Sequence, residues 1–84
     1  MDLELNALPK LDRCQVIEAA LDLSRLHTSM RMACTLVLAF DYRNTDAARL
    51  AGVERRNLAT ALCNLRPHLA LVVEDYKHAM GRPA

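Results

Sequence analysis

Three side chains close together in this sequence have the chemistry of a DNA reader. Arg55 and Arg56 carry planar guanidinium groups that match the O6 and N7 atoms of guanine, and Thr60 carries a hydroxyl and a methyl group that can each contact a base. Ala59, between them, is small enough to allow a close approach to DNA. The side chains expected to contact bases are therefore Arg55, Arg56, Ala59 and Thr60.

The polar residues around this group suit the phosphate backbone. The expected phosphate contacts are Arg43, Asn44, Thr45, Arg49, Asn57 and Arg66. Arg49 could instead be solvated or paired with Asp46. Glu54 could accept a hydrogen bond from a cytosine amine, but its position favours capping of a helix start.

The distribution of charge supports this assignment more than the total charge does. The whole chain carries a net charge of only +1. Residues 43–66 hold five arginines against two acidic residues, whereas residues 1–24 hold two basic residues against five acidic ones. Positive charge thus collects where phosphates would lie, although a solvated charged face is the simpler alternative.

A helix-turn-helix over residues 44–64 would present these side chains together. Ala48 is small where the first helix passes the second, and Gly52 falls in the turn, where a positive φ is common and a Cβ is expected to clash. The residues expected to face the partner helix or the core are Ala47, Leu50, Ala51, Val53, Leu58, Ala61 and Leu62. The exposed remainder of the second helix is Glu54, Arg55, Arg56, Asn57, Ala59, Thr60, Cys63 and Asn64. The alternative is a purely structural helical hairpin.

Length and composition predict one small all-α domain of about five short helices. Of the 84 residues, 52% are hydrophobic and 4% aromatic, and no segment alternates as a strand would. The acidic N-terminus is no signal peptide, and the longest apolar run, residues 33–40, is too short to cross a membrane, so we expect a soluble cytoplasmic protein. Three widely spaced cysteines indicate free thiols, with Cys14 and Cys34 on apolar helical faces. We expect no metal, cofactor, catalytic residue or enzymatic activity.

The helices are expected in a helical N-terminal core (residues 1–43), the helix-turn-helix (44–64) and a C-terminal helix (67–81). An arm over residues 1–9, with Leu3, Leu5 and Leu8, should pack down. The first helix should run from residue 10 or 11 to about 26, the second from about 29 to 41, with Thr28 or Ser29 as its cap, and the third from 46 to 51, with Thr45 as its cap. The second helix is apolar nearly all round and should be buried on most sides, with Met30 and Met32 filling gaps in the core.

Pro67 should separate the second helix of the helix-turn-helix, the recognition helix, from the C-terminal helix, because a proline disfavours helical geometry at the residue before it. The recognition helix should therefore stop near Asn64 or Leu65, and Gly81 and Pro83 should end the last helix. The apolar stripe expected on that helix is Leu69, Val72, Val73, Tyr76 and Met80. It is the expected dimer interface, with packing on the chain's own core as the alternative and the second helix as the other candidate surface.

The run Thr45-Asp-Ala-Ala-Arg-Leu-Ala-Gly-Val-Glu-Arg-Arg-Asn-Leu-Ala-Thr-Ala-Leu62, within this helical design, resembles the KorC-type repressors of broad-host-range plasmids. The resemblance implies a homodimer that binds a palindromic operator in double-stranded DNA and represses plasmid promoters, with the second helix of the motif in the major groove. Since 84 residues leave no obvious sensing domain, regulation is expected through protein concentration and dimerisation, or through a partner repressor.

Two other functions compete with this interpretation. A helical protein-interaction module, such as an antitoxin-like or sigma-factor-binding adaptor, could present the same arginines to an acidic partner. An architectural factor resembling an excisionase would bend DNA, but such proteins typically add a strand wing for which this chain has little room.

Overall fold

The computed structural model describes residues 8–80, and for Lys10, Ala79 and Met80 it describes the backbone only. This part of the chain is all-helical, as predicted, and contains no strand. Its four helices are α1 (Lys10–Ser24), α2 (Thr28–Phe40), α3 (Asn44–Ala51) and α4 (Arg55–Met80).

One aliphatic core joins the four helices. The long helix α4 packs along α1 and also contacts α2 and α3, while α2 bridges α1 and α3. The largest fully buried side chains are Ile17, Leu21, Cys34, Leu58, Leu65 and Leu69. Because these side chains come from α1, α2 and α4, no pair of helices has a core of its own, and the helix-turn-helix depends on the N-terminal helices for its packing.

The helices α1, α2 and α3 all end in a left-handed residue, namely Arg25, Asp41 and Gly52. Helix α1 begins at Lys10, as predicted, whereas the starts of α2 and α3 differ from prediction. Helix α3 begins at Asn44, with Arg43 at the cap position and no side-chain capping bond, so Thr45 lies inside the helix. Likewise α2 begins at Thr28 after His27, again without a side-chain cap. Backbone carbonyls of the preceding residues, such as Arg43 O accepting from Ala47 N at 2.9 Å, begin the helical bonding instead.

Helix α4 runs through Pro67, contrary to the predicted break near Asn64 or Leu65. Pro67 cannot donate to the carbonyl of Cys63, and a proline inside a helix costs about 3 kcal/mol. Both residues are exposed, so water can reach that carbonyl and the ring does not press into the core.

Burial on both sides of Pro67 explains why the helix continues. Leu58 and Leu65 precede it, Leu69 and Val73 follow it, and all four belong to the same buried cluster. Full burial of a leucine contributes about 1.5–3 kcal/mol, so the buried side chains on either side outweigh the cost of the proline. The predicted separate helix 67–81 is therefore the second half of α4, as far as the described residues extend.

Helix α2 is less buried than its composition predicts. Ala33, Cys34, Leu38 and Ala39 are buried, and Met30 is half-buried against the core. However, Met32 is 51% exposed and Phe40 is 50% exposed, so the expectation that Met32 fills a core gap is wrong. The described neighbours cover only one side of α2.

An ion-pair cluster links α1 to the exposed side of α2. Nη2 of Arg31 lies 2.6 Å from Oδ1 of Asp22 and 4.0 Å from Oε1 of Glu18. At the other end of α1, Asp12 accepts a hydrogen bond from Tyr76, which raises the pKa of the Tyr76 phenol above its ordinary value; desolvation and the charge of Asp12 act in the same direction. These contacts fasten α2 and the C-terminal half of α4 to α1.

The N-terminal arm is described only at its end. Leu8 packs against the core as predicted, whereas Leu3 and Leu5 lie outside the described residues, as do Gly81 and Pro83. Within residues 8–80, no helix is long and apolar enough to cross a membrane.

Candidate nucleic-acid interface

Helices α3 and α4 form the two arms of the predicted helix-turn-helix, joined by a turn of three residues, Gly52, Val53 and Glu54. Gly52 has φ +74°, N of Val53 bonds O of Ala48 at 3.0 Å, and N of Gly52 lies 3.3 Å from O of Arg49. These two backbone hydrogen bonds around a left-handed residue form the Schellman motif, which commonly ends a helix.

The backbone angle alone favours glycine in this turn. A Cβ built on Gly52 would meet no atom within 4 Å, so the expected clash does not exist. A left-handed backbone costs an L-residue roughly 1–2 kcal/mol, which is sufficient reason for glycine there.

Packing of α3 confirms most of the predicted inner positions. Ala47 is 0% and Ala48 4% exposed, which allows α3 to lie close to its neighbours, and Leu58 of α4 is fully buried. Half-buried positions at the edge of this contact are Ala51, Val53, Ala61 and Leu62. The prediction for Leu50 is wrong, because its side chain is 62% exposed. Leu50 lies about 100° around the helix from the centre of the face that Ala47, Ala48 and Ala51 bury.

All eight positions predicted to be exposed at the start of α4 are exposed: Glu54, Arg55, Arg56, Asn57, Ala59, Thr60, Cys63 and Asn64. At 100° per residue, Arg56, Thr60 and Cys63 fall on one line that points away from buried Leu58 and Leu65. Arg55 lies about 100° to one side of this line. The structure therefore brings Arg56 and Thr60 together on one outward line in the first turns of α4.

Cys63 belongs to the same outward line and was not among the predicted base contacts. Its spacing of seven residues from Arg56 is the signal that places it there, because seven residues are nearly two helical turns. The early part of a recognition helix penetrates deepest into the groove, so Cys63 would lie at the margin of a bound duplex.

The predicted phosphate contacts surround this line. Arg43, Thr45 and Arg49 are exposed on or beside α3, Asn57 and Arg66 are exposed on α4, and Asn44 is half-buried. Within residues 8–80, no salt bridge involves any of the arginines at positions 43, 49, 55, 56 and 66, so the pairing of Arg49 with Asp46 is not formed. The positive charge of the helix-turn-helix is thus open to solvent.

The predicted dimer stripe lies mostly inside the chain's own core. Leu69 is 0% and Val73 5% exposed, and Val72 and Tyr76 are half-buried against the same cluster. The side chain of Met80 is outside the described set. Leu69 and Val73 are therefore unavailable to a second chain, because α1 covers the face of α4 from which they project.

The cysteines occupy three different environments. Cys34 is fully buried, and burial raises the pKa of its thiol to about 11, while Cys14 is half-buried and Cys63 is exposed. Cys34 thus packs as a small apolar side chain, as predicted. Among the described residues, no three histidine, cysteine, aspartate or glutamate side chains come together in a way that could hold a metal ion.

No protein-family model, curated protein or solved structure matches this chain.

Proposed function

We propose that this chain is a sequence-specific DNA-binding transcriptional repressor that binds a palindromic operator as a homodimer. It would act in the cytoplasm and, by its resemblance to KorC-type repressors, on plasmid promoters. The observation that carries the proposal is the group of five exposed arginines on and next to one helix-turn-helix, none of which forms a salt bridge with a described carboxylate.

Two kinds of contact follow from the positions of these arginines. Arg56 and Thr60 project from the outermost line of α4, with Arg55 beside them and Ala59 leaving space, so they are assigned to base edges. Arg43 and Arg49 flank the line from the side of α3 and are assigned to phosphates, together with Thr45, Asn57 and Arg66. Half-buried Asn44 is the weakest member of that set.

A homodimer is part of the proposal because one recognition helix spans too few base pairs. Proteins that read DNA in this way bind paired half-sites about one turn of the duplex apart, so that two recognition helices enter successive major grooves on the same side. A small dimer that covers a promoter can repress transcription simply by excluding polymerase.

The experiment that tests the proposal is selection of the purified chain against a pool of random DNA duplexes at near-physiological salt, followed by sequencing. We expect enrichment of an inverted repeat whose half-sites lie about one turn apart. Absence of any enriched sequence would contradict the proposal and favour a protein-interaction module that presents its arginines to an acidic partner.

The division into base and phosphate contacts is tested with the enriched duplex and a random one. Arg43→Ala should weaken binding to both about equally and lower the slope of affinity against salt concentration by about one. A loss confined to the enriched duplex would instead make Arg43 a base reader.

A further inference from the structure

Glu54 is an acidic residue at the tip of the arginine-rich helix-turn-helix, and it belongs neither to the assigned base contacts nor to the phosphate contacts. It is the last residue of the turn and directly precedes Arg55, the first residue of α4. Its side chain is exposed. Because the start of a recognition helix comes closest to base edges, Glu54 lies where a bound duplex would be read.

The capping bond that the position of Glu54 favours is not formed. Its carboxylate makes no hydrogen bond with any residue that the structure describes. Its backbone oxygen accepts from N of Leu58 at 3.0 Å, which is the ordinary first bond of a helix. The positive end of the α4 dipole still favours a carboxylate there, and this purely structural role is the alternative to a role in binding.

The arginines around Glu54 do not neutralise its charge. Within residues 8–80, no salt bridge joins Glu54 to Arg55, Arg56 or any other arginine. By contrast, both carboxylates that face Arg31 lie within 4.0 Å of its guanidinium. Glu54 therefore brings an uncompensated negative charge to a surface proposed to face DNA, where it repels phosphates and lowers affinity for every duplex.

Only a hydrogen-bond donor on the DNA can offset such a charge, and the four bases differ in this respect in the major groove. Cytosine presents its N4 amino group, whereas guanine presents the acceptors O6 and N7, and thymine presents the O4 acceptor and a methyl group. Adenine has an amino donor at N6, but the acceptor N7 beside it repels a carboxylate. A carboxylate at this position thus favours cytosine over the other three bases.

We infer that Glu54 is a specificity-determining residue that selects a cytosine in each operator half-site by accepting a hydrogen bond from its N4 amino group. The inference rests on the proposed function and makes its ligand more specific. Glu54 and Arg56 are about 3 Å apart along the helix axis, close to one base-pair step, so the cytosine is expected beside the guanine read by Arg56. Against a wrong base the carboxylate stays unpaired, and Glu54 thereby weakens binding to unrelated DNA.

The first test repeats the duplex selection with two variants of Glu54. Glutamine keeps the shape of the side chain, but its amide pairs with N6 and N7 of adenine. Glu54→Gln should therefore shift the preference at one position of each half-site from cytosine towards adenine, and Glu54→Ala should abolish the preference there. All other positions of the inverted repeat should stay as they are for the unmodified chain.

Affinity measurements give the size of the effect. Among duplexes that differ from the enriched one only at that base pair, the unmodified chain should prefer cytosine by about tenfold, and Glu54→Ala should show no preference. Both variants should bind a random duplex more tightly than the unmodified chain, because a charge that repels phosphates has been removed. A purely structural role at the helix start predicts no change in base preference.

Asp46 provides the matched control. It is also an exposed carboxylate in the first turn of a helix of the same motif, and it forms no salt bridge with a described residue. Asp46→Asn removes the same charge, so it should tighten binding to all duplexes alike and leave every base preference unchanged. Circular dichroism of the three variants checks that each retains its helices.

The outcomes separate this inference from the proposed function. An inverted repeat with the same base preferences for the unmodified chain and for Glu54→Ala overturns the role of Glu54 and leaves DNA binding intact. Identical effects of Glu54→Gln and Asp46→Asn on all duplexes would also overturn it, because charge alone would then explain them. Absence of any enriched sequence for the unmodified chain overturns both proposals. A cytosine position that shifts to adenine in Glu54→Gln supports the inference.

Discussion

Arginines in two parts of the described chain have different surroundings. Arg31, between α1 and α2, lies within 4.0 Å of two carboxylates and is only partly exposed. Arg55 and Arg56, at the start of α4, are exposed and form no salt bridge with a described residue, and the same is true of Arg43, Arg49 and Arg66. Arg31 links the N-terminal helices α1 and α2 through ion pairs, whereas the arginines on and next to the helix-turn-helix face outward.

The difference indicates what each group of charges contributes. A paired arginine positions two helices and adds little attraction for a distant ligand, because its field is largely cancelled. A set of unpaired arginines on one face repel one another and attract anions, so their cost to the folded chain is offset only when a partner such as the phosphate backbone binds. The predictions below test this contrast, beginning with the core that both regions share.

The largest effect should come from removing a core side chain common to both regions. Leu69→Ala should lower the free energy of unfolding by about 2–5 kcal/mol, because Leu69 is fully buried in the cluster that joins all four helices. Thermal or urea unfolding followed by circular dichroism measures the loss. Leu71→Ala, on the exposed side of the same helix, should change stability by less than about 0.5 kcal/mol.

If Leu69→Ala instead destabilised only one of the two regions, the unfolding curve would show two separate transitions. In that case the arginine-rich helix-turn-helix and the N-terminal helices would be independent units, and the comparison between them would concern two folding domains.

The next effect concerns DNA affinity. Arg56→Ala should weaken binding to the enriched duplex by about 1–3 kcal/mol and relax preference at one base position, because its side chain projects from the outermost line of α4. Its unfolding free energy should stay within about 0.5 kcal/mol of the unmodified chain. Fluorescence anisotropy with labelled duplexes measures the first quantity, and a uniform loss on every sequence would make Arg56 a phosphate contact.

A smaller effect is expected at the turn that sets the two helices of the motif. Gly52→Ala should cost about 1–2 kcal/mol of stability, since φ is +74° and the surrounding space is open. Gly52→Asn should cost less, because asparagine adopts the left-handed region more readily. Equal losses in urea unfolding for both substitutions would show that something other than the backbone angle selects glycine.

The smallest effect should come from the paired arginine, and it completes the contrast. Arg31→Ala should reduce stability by about 0.2–1 kcal/mol, the usual contribution of a partly exposed ion pair. Its affinity for DNA, measured with enough protein to keep any dimer formed, should match that of the unmodified chain. A tenfold loss of affinity under those conditions would contradict the division between structural and DNA-facing arginines.

Local patterns in the sequence predicted much of the site. The small residues Ala47 and Ala48, the turn glycine and the polar positions after it sit at spacings that only one helix-turn-helix register satisfies, and the exposed set of α4 follows directly from that register. Such features depend on residues a few positions apart, so periodicity and backbone preference suffice to place them.

Two of the errors in prediction share a cause. At Pro67 the local preference for a helix break competes with four buried side chains on α4, and at Leu69 an apolar stripe could have faced either a second chain or the first. Whether α4 breaks at Pro67, and whether its own chain covers Leu69, both depend on α1, a helix more than 40 residues away in the sequence. No local pattern carries that information.

The sequence by itself determined the all-helical class, the register of the helix-turn-helix and the concentration of arginine upon it, because these follow from composition, periodicity and charge. Only the tertiary structure decided that α4 is one continuous helix, that Leu69 and Val73 are buried in the chain's own core, and that Met32 of α2 is half exposed. The reason is physical: burial is a property of the assembled core, and a side chain has no inner or outer face until its helix has neighbours.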